Sequence, residues 1–123
     1  MRYIVLLQAA QLTPPMPDGL FEAIMKLGEE ATASGALVDQ AGLVQGATSA
    51  RVTVTGGQLS VMDGPFAEAK EFISYAQYEV RSKEEAVEWA SRFMKLHQEF
   101  VPGWEGDCQV LKVFGPEDFQ APA

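Results

Sequence analysis

The chain opens on an unbroken apolar run, Tyr3-Ile4-Val5-Leu6-Leu7, whose length predicts a strand in the middle of a sheet. Pro14, Pro15 and Pro17 then forbid regular structure and predict a stiff loop. Beyond it Leu20, Ile24, Leu27 and Ala31 recur at helical spacing, Phe21 and Met25 widen the stripe, and Glu22, Lys26, Glu29 and Glu30 take the other side. This pattern predicts an amphipathic helix capped by Asp18 and running to about Ser34, where Gly35 stops it. Ala36 to Val44 reads as extended, interrupted by Gly42. Two β-branched alternating runs, Arg51 to Thr55 and Gln58 to Met62, flank Gly56-Gly57 and predict a hairpin, since two glycines supply the positive φ angles of a tight primed turn.

Phe72 to Val80 is a further strand, rich in aromatics, and Ser82-Lys83-Glu84-Glu85 after it has the form of a capping box. The helix it starts carries Ala86, Ala90, Phe93 and His97 on its apolar stripe, with Val87 and Met94 beside them. Glu88 and Arg92 form a solvent-side pair at i,i+4. Pro102-Gly103 ends the pattern, Cys108 to Phe114 makes a last strand, and Gly115-Pro116 closes it. Each helix thus lies between strands, which predicts an α+β fold: a ferredoxin-like sheet built of split β-α-β units with two helices on one face. The other face would be a bare apolar surface, and a homodimer of two-fold symmetry would cover it.

Composition narrows the function. At 123 residues the chain suits a single domain spanning 1–123, with ordinary apolar content for a globular protein. Its net charge of -8 and the lack of any Lys/Arg cluster exclude polyanion binding, so no nucleic acid and no anionic membrane surface is expected as partner. Cys108 is the only cysteine, which excludes an intramolecular disulfide and a cysteine-based metal cluster. No run is long enough for a membrane span and no small-residue cleavage site follows the first strand, so a cytoplasmic location is expected. A glycine-rich phosphate loop, a Gly-x-Ser-x-Gly elbow and a dinucleotide fingerprint are all lacking, and no cofactor is expected.

The segment Asp63-Gly64-Pro65-Phe66-Ala67-Glu68-Ala69-Lys70-Glu71 resembles the DGPF signature of the YCII-related family. The likeness runs on through Ser82 to Ala86 and the closing Val113 to Phe119. It implies a ferredoxin-like subunit in a dimeric α+β-barrel assembly, and most members of that family have no assigned reaction. Broader relatives are thought to use a His-Asp pair, with the aspartate at a position like Asp63 and the histidine near the first helix. This chain has no histidine between Asp18 and Ser34, so that pair does not carry over whole.

Asp63 shares a strand face with Leu59 and Val61, so its carboxylate is expected toward partly buried space, where desolvation would suit it to proton transfer. As the first residue of Asp-Gly-Pro it is equally suited to capping a turn. His97 is the second catalytic candidate, able to complete an acid/base pair if it meets Asp63; a lone histidine on an apolar stripe is also a common core residue. Gly64, Pro65, Phe66, Lys70 and Tyr75 are the ligand-binding candidates. Backbone geometry is the plainer reading for Gly64 and Pro65, and packing for Phe66 and Tyr75. Lys70 offers an anchor for a carboxylate, with Glu68 and Glu71 beside it on what is otherwise a solvated face. Tyr75 and Tyr78 lie on opposite strand faces, so at most one lines a pocket. Cys108 has no basic neighbour in sequence and reads as core, and one histidine without spaced partners defines no metal site. The function expected is that of a small-molecule-handling protein, either a cofactor-independent enzyme with an acid/base carboxylate or a non-catalytic ligand-binding or regulatory dimer.

Overall fold

In the computed structural model, which describes residues 1–10, 17–66 and 70–119, six strands and two α-helices follow the expected order. They are β1 (Arg2–Ala9), α1 (Leu20–Ala33), β2 (Leu37–Gly42), β3 (Ala50–Thr55), β4 (Gln58–Asp63), β5 (Glu71–Glu79), α2 (Lys83–Phe100) and β6 (Gly106–Lys112), with a closing 3-10 turn at Pro116–Phe119. The main sheet has the antiparallel order β2-β5-β1-β6, and among the described residues β3 pairs only with β4, in a separate two-stranded ribbon. Once that ribbon is set aside, the connectivity is a ferredoxin-like α+β fold with β1 and β5 in the middle. The proline loop expected before α1 falls largely on residues outside the described ones, as do Ala67, Glu68 and Ala69 of the signature.

Burial in β1 alternates strictly, with Tyr3, Val5, Leu7 and Ala9 buried and Ile4, Leu6 and Gln8 only partly so. A pleated strand sends successive side chains to opposite faces, so this alternation marks one covered and one open side. Across the ladder Tyr3 meets Tyr78 and Val5 meets Ala76, and Ala31, Ala86 and Ala90 pack on them from α1 and α2. Small alanines let the helices approach the sheet closely. Leu7 and Leu20 are the largest side chains fully buried there.

The helix ends differ in part from expectation. At α1 the N-cap is Gly19, not Asp18, with no side-chain capping bond. Its φ of 85° and the Phe100 ring 2.8 Å from where a Cβ would stand both demand glycine, and this moves the helix start past Asp18. The C-terminus closes as expected around Gly35 at φ 82°, with the Ala36 amide donating to the Ala31 carbonyl at 3.0 Å. At α2, Ser82 Oγ accepts from the Glu85 amide at 3.1 Å, but Glu85 Oε2 accepts from the Arg81 amide at 2.9 Å, so the box is offset by one residue. Arg92 forms its salt bridge with Glu30 of α1 instead of with its own-helix neighbour Glu88, because the interhelical groove brings that carboxylate onto the guanidinium.

Gly56 and Gly57 have φ of 59° and 75°, as the primed turn between β3 and β4 requires. The ribbon's side chains do not enter the core: Val52, Val54, Leu59 and Val61 are all exposed.

Candidate functional site

Between the helices and the covered side of the sheet lies a cavity of about 370 Å³. Val5 and Leu7 form its floor with Ser74, Ala76 and Tyr78, Phe21, Ile24 and Met25 of α1 form one wall, and Phe93 and His97 of α2 form another. Phe21 and Met25, expected to extend the apolar stripe, are 56% and 45% exposed and stand at this cavity. Among the described residues no Asp, Glu, Lys or Arg lines it.

His97 is 3% exposed and is held by its own helix: Nδ1 lies 3.0 Å from the Phe93 carbonyl. A carbonyl can only accept, so Nδ1 carries the proton, and Nε2 is the acceptor of the neutral ring. Among the described residues Nε2 has no hydrogen-bond partner. The imidazole sits between the Phe93 ring, edge-on at 4.7 Å, and the Trp104 ring at 4.7 Å. Burial pushes its pKa below the ordinary histidine range, partly offset by the bond to Phe93, so the ring is neutral at neutral pH.

Tyr78 shares the cavity and is nearly buried, its ring stacked on Trp89 at 6.2 Å. Burial, with a contribution from Cys108, pushes its hydroxyl up to about 12. Tyr75, Tyr78, Ser74 and Gln40 supply the other polar side chains of the wall, and the last three have no hydrogen-bond partner among the described residues. Sequence reasoning passed over Ser74 and Gln40 and weighed Tyr78 only as the alternative to Tyr75. Strand parity was the available signal for Tyr78, which lies two residues from the apolar Ala76 and Val80 and thus on the same face.

The signature residues lie elsewhere. Asp63 ends β4 and is exposed, contrary to the expectation of partly buried space, because the face it shares with Leu59 and Val61 is itself uncovered. Asp63 does not line the cavity, and among the described residues it makes no hydrogen bond or ion pair with His97. Gly64 donates to the Ser49 carbonyl at 2.7 Å and is bonded to Pro65 through a cis peptide. A Cβ at Gly64 would collide with the Gly46 carbonyl oxygen, so the motif's glycine permits a close backbone approach at the root of the ribbon. Phe66 lies under the Arg51 guanidinium, 4.2 Å from its ring centroid.

Lys70 is half-exposed and salt-bridged to Asp107 at 3.6 Å, away from the cavity. Tyr75 lines the cavity as Tyr78 does, against the expectation that at most one of them would, because the cavity runs out along β2, whose Gln40, Ala41 and Gly42 also line it. The Tyr75 hydroxyl donates to Asp39 Oδ2 at 2.8 Å. Cys108 is half-buried against Met94, and burial, with Asp107 adding, pushes its thiol up to about 11, which keeps it protonated and unreactive. Among the described residues no cluster of His, Cys, Asp and Glu could hold a metal ion, and no helix is long and apolar enough to cross a membrane.

A four-stranded antiparallel sheet in this order, carrying two helices on one face with a cavity beneath them, defines a ferredoxin-like α+β fold. The model of the YCII-related domain matches residues 1–95, and the chain belongs to that family. No curated protein matches it. His97 lies two residues beyond the matched span.

Proposed function

We propose that this protein handles a small, neutral, largely apolar molecule in the cavity between the sheet and its two helices, with His97 Nε2 receiving a hydroxyl or amide hydrogen of that molecule. The observation that carries this reading is the wall itself: among the described residues it holds no charged side chain, and its buried histidine has a ring nitrogen without a partner. A carboxylate or phosphate entering such a space would lose its hydration with no cation to receive it. An apolar body with one donor loses little water and satisfies Nε2. The volume lies at the lower end of the roughly 300–1,000 Å³ of ligand pockets, which suits a compact molecule.

A neutral imidazole can also take a proton, so the same contact supports cofactor-independent acid/base chemistry on the ligand's donor atom, with binding alone as the alternative. Asp63 is the weaker candidate for that role, being exposed at the ribbon's root.

Calorimetric titration with 4-propylphenol and propylbenzene tests the reading. The phenol is expected to bind roughly twofold to tenfold more tightly, the equivalent of a net hydrogen bond of about 0.5–1.5 kcal/mol. The preference should vanish in His97→Phe. It should also fade as the pH falls below the ordinary histidine range, because protonation at Nε2 removes the acceptor, and it should hold at and above neutrality. A preference that survives in His97→Phe, or failure of both probes to bind, overturns the proposal.

A further inference from the structure

The Tyr78 hydroxyl is a second polar group of the cavity that the protein itself leaves unused. Tyr78 is 6% exposed, its ring stacks on Trp89, and among the described residues nothing accepts its proton. Burial pushes that hydroxyl up to about 12, so it is a neutral donor at neutral pH. Trp104 Nε1 provides a contrast: it too lacks a partner among the described residues, but it is sealed within the protein, where no ligand can reach it. The Tyr78 hydroxyl is not sealed in this way, and Tyr78 lines the same space as His97.

Tyr78 and His97 stand at opposite ends of that space. On α2, Trp89 precedes His97 by about two turns, or about 12 Å along the helix axis, with Phe93 midway, and Tyr78 stacks on Trp89. The strands agree. Tyr78 pairs with Tyr3 near the start of β1, whereas Trp104, which packs on the imidazole at 4.7 Å, covers Gly106 opposite Ala9 at the end of β1. Between the two ends the lining is mostly apolar, with Val5, Leu7, Ile24 and Phe93.

We propose that the cavity selects a neutral molecule with a hydroxyl at one end and a carbonyl at the other, the hydroxyl donating to His97 and the carbonyl accepting from Tyr78. This rests on the cavity reading above and adds a second anchor to it. Polarity fixes the direction in which the molecule lies. His97 Nδ1 is already bonded to the Phe93 carbonyl, and Nε2 can only accept, so a carbonyl at that end would meet a lone pair. At the other end a carbonyl takes up the Tyr78 proton, whereas a plain alkyl tail would leave that donor buried and unsatisfied. A carboxylate in place of the carbonyl would find no Lys or Arg in the described lining to receive its charge. The class selected is therefore that of compact hydroxy ketones, hydroxy esters and hydroxy amides.

Calorimetric titration with 4-(4-hydroxyphenyl)butan-2-one and 4-butylphenol, which share a carbon skeleton and differ by the ketone oxygen, tests the assignment. In Tyr78→Phe the ratio of the two affinities is expected to move against the ketone by roughly threefold to tenfold, the size of one net hydrogen bond, while 4-butylphenol binds no more weakly than before. His97→Phe should weaken both ligands alike and leave the ratio unchanged. The Tyr78 hydroxyl has no protein partner among the described residues, so its removal should leave the fold intact, which circular dichroism checks. A ketone that does not bind the wild type, or a ratio that stays the same in Tyr78→Phe while 4-butylphenol binds, overturns this assignment and leaves the His97 reading standing. A ratio that moves as far in His97→Phe as in Tyr78→Phe overturns the two-ended arrangement. Failure of 4-butylphenol to bind the wild type overturns both readings.

Discussion

Leu7 and Leu59 are both leucines on antiparallel strands with alternating side chains, yet Leu7 is 2% exposed and Leu59 is 69% exposed. The difference lies in what stands opposite. Leu7 stands under the two helices, where Phe21 and Ile24 of α1 and Phe93 and His97 of α2 line a cavity with it, while β4, which carries Leu59, packs chiefly on β3 among the described residues. A period of two announces a strand with one apolar side, and it says nothing about whether a covering layer exists. The body of the molecule is a two-layer unit with a cavity between its layers, and the ribbon leaves its apolar face uncovered.

Substitutions on the two sides of this comparison should separate it cleanly. The largest effect is expected from Leu7→Ala, which removes a fully buried side chain from the floor of the cavity and should cost about 2–5 kcal/mol in urea unfolding. Ser82→Ala removes the side-chain oxygen that caps α2 and should cost about 1 kcal/mol in the same measurement. Leu59→Ala should change stability by no more than about 0.5 kcal/mol in the same measurement. A cost for Leu59→Ala that approaches that of Leu7→Ala would break the comparison, since it would mean that the ribbon is covered. A cost within error of zero would sharpen it.

Much of the fold was legible because it is written in short-range signals. The pairing of Gly56 with Gly57, the Ser82 cap and the strand at Tyr3 to Leu7 each depend on neighbours a few residues away, and each forms where expected. The offsets at Asp18 and Glu85 arose from contacts that local pattern does not contain, such as Phe100 closing over Gly19. The candidate site was less legible. His97 was visible as a lone histidine on an apolar stripe, but its free Nε2 and its place in an uncharged cavity depend on β1, β5 and α1 converging on it. Asp63 was expected in partly buried space because a face shared with Leu59 and Val61 looked like an inward one, and Tyr75 was named ahead of Tyr78 although Tyr78 shares the strand face of Ala76 and Val80.

By itself, then, the sequence determined the order and kind of elements, the turn and cap chemistry, the acidic surface and the likeness to the YCII-related family. Those follow from backbone sterics, local hydrogen bonding and residue counts, none of which needs a folded chain to be evaluated. Only the tertiary structure decided which apolar faces are covered, that His97 and Tyr78 share a cavity while Asp63 stands outside it, and that Lys70 is engaged by Asp107. Burial and desolvation are properties of what the rest of the chain brings alongside a residue, and no periodicity along the chain specifies that company.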